Sequence, residues 1–209
     1  MSDKLYGKDK FEIAVQSGMQ LIPYVGGAMA TAYFGSKQEK RFKRIESFYQ
    51  EIYAEFEGFK EGFKDFQEHN TDAIIAIMEE FNEALEREHT SQKREYFKKY
   101  LKNTLINPVT NNFDERKFFL ETLGGMSLLE CEVLIFLNHN YGSNIRVGAI
   151  EKPGINQYAI VGAIGKLKSH GFVQTGQGSM TIGSGLDNML NEIVSISSFG
   201  QVFCKFCLE

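Results

Sequence analysis

Asn156-Gln157-Tyr158-Ala159-Ile160-Val161-Gly162-Ala163-Ile164-Gly165-Lys166-Leu167-Lys168-Ser169-His170-Gly171-Phe172-Val173-Gln174-Thr175 is the stretch on which the fold turns. Ile160, Val161, Ile164 and Leu167 recur at helical spacing, so a helix runs from about Asn156. Gly171 suits the left-handed residue that closes a helix. Phe172 to Thr175 then reads as a strand. Upstream, Ser127 and Glu130 have the spacing of a capping box, and Leu129, Val133, Phe136 and Leu137 share one face of the helix it opens. Ile145-Arg146-Val147 reads as a short strand between the two helices. Downstream, Gly176-Gln177-Gly178 suits a hairpin turn leading into a strand at Met180-Thr181-Ile182. A last amphipathic helix starts near Ser197, anchored by Val202, Phe203 and Phe206. Residues 183–191 receive no assignment. Helix, strand, helix, two strands and helix, in that order, is the arrangement of a winged helix with a small β-wing.

Working toward the N-terminus, the pattern becomes purely helical. Phe42, Ile45, Tyr49, Ile52, Phe56, Phe59, Phe63 and Phe66 alternate at spacings of three and four, a coiled-coil-like seam. Gly58 and Gly62 interrupt it at roughly 1 kcal/mol each. Asn70-Thr71-Asp72 signals a new helix, and Ile74, Met78, Phe81 and Leu85 continue the spacing on it. A short polar break between the two makes an antiparallel hairpin. The phase slips at Glu88-His89-Thr90, after which Phe97, Leu101 and Leu105 form another stripe, ended by Pro108 and Asn111-Asn112. A short helix from Phe113 to Leu123 is assignable to either side of the boundary. The expected class is therefore mainly α. Residues 1–110 form a helical domain with a hairpin at 38–105, and residues 111–209 the winged-helix (α+β) module.

A chain of 209 residues, 43% hydrophobic, can bury its own core. Its formal net charge of −4 argues against wrapping by a polyanion. The charge is uneven: five bases to one acid from Lys37 to Arg44, but twelve acids to three bases from Glu51 to Thr90. An odd cysteine count of three points to a reducing, cytosolic setting without a disulfide framework. Residues 13–36 carry no charge and are long enough to span a bilayer, but four glycines, Pro23 and several polar residues interrupt the run. A buried helical hairpin is the simpler reading. A membrane-associating segment is its rival, with Lys37, Lys40, Arg41, Lys43 and Arg44 as contacts to lipid headgroups or other phosphates.

If the module reads DNA, its second helix supplies Asn156, Gln157, Lys166, Lys168 and His170, with Arg146 nearby. Between Tyr158 and Gly165 that helix has no polar side chain beyond the tyrosine hydroxyl. Five bases against seven acids from Glu121 to Glu209 leave little to neutralise phosphates. A protein partner or a second copy of the chain is accordingly expected ahead of DNA. No catalytic set emerges. Gly162-Ala163-Ile164-Gly165-Lys166 is too short for a phosphate loop, Gly183-Ser184-Gly185 lacks the spacing of a nucleophile elbow, and the four histidines form no metal motif. Cys204-x-x-Cys207 is a single ligand pair, better explained as buried small side chains than as half a zinc site. No metal or cofactor is expected, and the chain reads as a non-enzymatic binding protein.

Several short segments carry a resemblance: Ile22-Pro23-Tyr24-Val25-Gly26-Gly27, Arg44 with Phe48, Lys93-Arg94-Glu95-Tyr96-Phe97, Leu128 to Leu137, and Ser197-Ser198-Phe199-Gly200. In this order they resemble a loosely defined set of bacterial proteins with an apolar Pro/Gly-containing start, a long helical hairpin and a terminal winged helix. They are more weakly similar to abortive-infection proteins of the Abi-alpha type. The resemblance implies a bacterial origin and a setting in phage defence, and supplies no catalytic residues.

Overall fold

The computed structural model describes residues 43–45, 47–49, 51–52, 70–107, 109–177 and 188–209. The chain divides into two compact units, Met1–Gly124 and Gly125–Glu209. The division falls at the C-terminal end of the helix that begins at Phe113.

The described secondary structure of the first unit is all helical. Residues 43–45, 47–49 and 51–52 are helical, followed by α1 (Thr71–Arg87), α2 (Ser91–Ile106) and α3 (Phe113–Gly125). Asn70 caps α1, its side-chain oxygen accepting from the Ala73 amide at 3.2 Å. The phase slip at Glu88-His89-Thr90 is a full break between helices. Aromatic rings make the core: Phe81 sits 5.6 Å from both Phe48 and Phe97, and 6.1 Å from a stacked Tyr100. Such pairs add about 0.5–1.5 kcal/mol each beyond their buried area. Ile45, Tyr49 and Ile52 of the seam are buried, as are Ile74, Met78, Phe81 and Leu85 of its partner stripe. The Tyr49 hydroxyl donates to Asn82 Oδ1 at 2.7 Å inside this core. The other seam positions, Gly58, Gly62 and the uncharged segment 13–36 lie outside the described residues.

Several cations of this unit, on α2, are turned inward. Lys93 and Glu88 are both buried and meet at 2.9 Å, with Lys93 Nζ also donating to the Gly124 carbonyl at 3.3 Å. Burial alone would raise the Glu88 carboxyl. Hydrogen bonds from Lys93 and from Thr90 outweigh burial and hold it below the usual carboxylate range. Glu51 bridges Arg94 at 3.2 Å and Lys98 at 3.1 Å.

The second unit combines helices with a small antiparallel sheet. Its described elements are α4 (Leu128–His139), β1 (Ile145–Arg146), a 3-10 turn (Val147–Ala149), α5 (Gln157–Ser169), β2 (Val173–Gln177), β3 (Glu192–Ile196) and α6 (Ser198–Phe203), which runs into a π-helical turn (Cys204–Leu208). The sheet order is β1-β3-β2, with Ile145 opposite Val194 and Thr175 opposite Val194 on the other side. Both halves of the Ser127/Glu130 capping box form, and Gly171 takes φ 75°.

Three local expectations need correction. Gly176 and Gln177 belong to β2, paired with Ile193 and Glu192, and are not a hairpin turn. The return strand is Glu192–Ile196, a β-branched run that the glycine-rich turn signal obscured; Met180–Ile182 lies outside the described residues. Phe136 is 39% exposed, and the buried face of α4 is formed by Cys131, Val133, Leu134 and Leu137. On that buried face the Cys204 thiol of the π-helical turn lies 3.9 Å from the Leu134 carbonyl.

Gly200 fixes how α6 closes the unit. A Cβ there would lie 2.2 Å from the Phe172 carbonyl oxygen, so only glycine admits the approach. Ser197 ties the same corner, donating to the Gly171 carbonyl at 2.6 Å and accepting from the Gly200 amide at 2.9 Å. Phe172 then stacks on Phe203 at 4.4 Å.

Candidate surface of the C-terminal unit

α5 is positioned by its two ends. Asn156 is the N-cap, its side chain accepting from the Tyr158 amide at 2.8 Å. Gln157 donates to the carbonyls of Val147 and Ile150 at 3.0 and 3.1 Å, fastening the start of the helix to the 3-10 turn. At the other end the His170 amide bonds the carbonyls of Lys166 and Lys168, and its ring lies 5.8 Å from that of Phe172. Ile160, Ala163, Ile164 and Leu167 are buried, while Val161 is only half-buried.

Several of the six residues expected to read DNA are already engaged. Asn156 Oδ1 accepts from the Tyr158 amide, and Gln157 Nε2 donates to the Val147 and Ile150 carbonyls. Lys166 meets Glu130 at 3.1 Å and Lys168 meets Glu192 at 3.6 Å. Glu130 is itself buried and accepts from the Ser127 amide at 3.0 Å, so one carboxylate serves both the helix cap and the lysine. Lys152 is likewise paired, with Glu132. Among the described residues of this unit, Arg146 and Lys205 are the cations without an ion pair. Both are exposed.

What α5 turns outward is apolar and small. Ile155, Tyr158, Gly162, Gly165 and Ser169 follow one another at spacings of three and four, with Ala159 beside Tyr158, and all are exposed. Tyr158 is 56% exposed. A Cβ built on Gly162 or on Gly165 would meet nothing within 4 Å. Neither glycine is thus required by packing or by backbone angle, and each lowers helix stability by about 0.5–1 kcal/mol relative to alanine. Sequence reasoning passed over this face because it searched the helix for polar readers. The usable signal was two glycines inside a helix that has no internal need of them.

Of the basic cluster, Lys37, Lys40 and Arg41 lie outside the described residues; Lys43 is exposed and Arg44 half-buried. No helix among the described residues is long and apolar enough to cross a membrane. Among the same residues, no group of three or more His, Cys, Asp or Glu is arranged to hold a metal ion. Cys131, Cys204 and Cys207 are free and fully buried, and burial pushes the Cys204 thiol up, which makes it a poor nucleophile.

No protein-family model, no curated protein and no solved structure matches the chain.

Proposed function

We propose that this is a non-enzymatic binding protein whose C-terminal unit, read as a winged helix, docks a protein partner on the outward face of α5. The observation that carries the reading is the pair Gly162 and Gly165: exposed, in mid-helix, with open space where a Cβ would stand. Glycines that weaken a helix without serving its packing suit a partner backbone that must come close. Ile155 and Tyr158 supply the apolar and aromatic anchors such a contact uses. DNA reading is the weaker alternative, because Lys166 and Lys168 are already paired and Asn156 and Gln157 already bonded. Among the described residues of this unit, phosphate neutralisation, on which affinity at physiological salt depends, would fall to Arg146 and Lys205. The resemblance to abortive-infection proteins would place the partner in phage defence.

The test compares variants of the full chain as bait in a bacterial lysate. A partner retained by wild type and by Lys166→Ala/Lys168→Ala, but lost with Gly162→Leu, supports the reading. A duplex probe shifted at low salt and released by Arg146→Ala would replace it with DNA binding.

A further inference from the structure

We draw no further inference here: the strongest candidate, the second apolar face of α4 at Leu129, Ile135 and Phe136, is half-buried to exposed, and nothing among the described residues shows what covers it.

Discussion

α2 and α5 both carry lysines, and they handle the same residue type in opposite ways. On α2 the cations are drawn inward: Lys93 and Lys98 are buried, and Glu88 and Glu51 hold them. On α5 the lysines stay at the surface, Lys166 at 62% exposure, yet they too are neutralised by acids reaching over from α4 and β3. The first arrangement ties helices together. The second clears charge from the flank of an apolar helix face. Lys93, Lys98, Lys166 and Lys168 all face carboxylates and are not lined up for phosphate.

The largest expected effect separates the two uses of lysine. Lys93→Ala leaves Glu88 buried without its cation and should cost about 3–5 kcal/mol in a urea unfolding curve. Replacing both members, Lys93→Met with Glu88→Leu, should recover most of that, because an apolar pair avoids desolvating two charges. Lys166→Ala should change stability by less than about 1 kcal/mol, since Lys166 is mainly exposed. An equal loss from Lys93→Ala and Lys166→Ala would erase the distinction between the helices.

Next in size is Gly200→Ala, expected to cost about 3 kcal/mol because the added methyl is driven into the Phe172 carbonyl. The same substitution at Gly162 or Gly165 should stabilise by about 0.5–1 kcal/mol. The three glycines thus divide into one the fold requires and two it does not. Thermal unfolding of the single variants reads the difference in sign directly.

A smaller effect depends on pH. The Glu88 carboxyl is held below its ordinary range in the folded chain, so its contribution is fully present above the ordinary carboxylate pKa. It is lost as pH falls through the lowered value. Glu80 behaves oppositely: burial, then the nearby Glu121, raises it, so its folded form favours the proton and stability declines as pH rises through the raised value. Glu88→Gln should flatten the acid limb of the stability curve, while Glu80→Gln should raise stability at neutral pH.

Much of the C-terminal unit was legible because its signals are local. The Ser127/Glu130 box, the helix start near Asn156 and the positive φ of Gly171 each concern a few consecutive residues, and each forms as read. β3 was not legible in the same way, since Glu192–Ile196 becomes a strand by pairing with β2 across a long connection. The pairing of Lys166 with Glu130 joins residues on different helices, so the lysine looks free in the sequence. Gly200 reads as an ordinary helix glycine until Phe172 is seen beside it. In the first unit the heptad spacing anticipated the burial of Ile45, Tyr49, Ile52, Ile74, Met78, Phe81 and Leu85, and the phase slip marked the break between α1 and α2, but the inward lysines gave no such signal.

The central claim is that the outward face of α5 exists for a partner and not for the fold. Its most direct test measures, on the same Gly162→Leu protein, the unfolding free energy and the retention of the captured partner. The account predicts stability at or above wild type with partner binding reduced at least tenfold. Unchanged binding by a folded Gly162→Leu chain would contradict it.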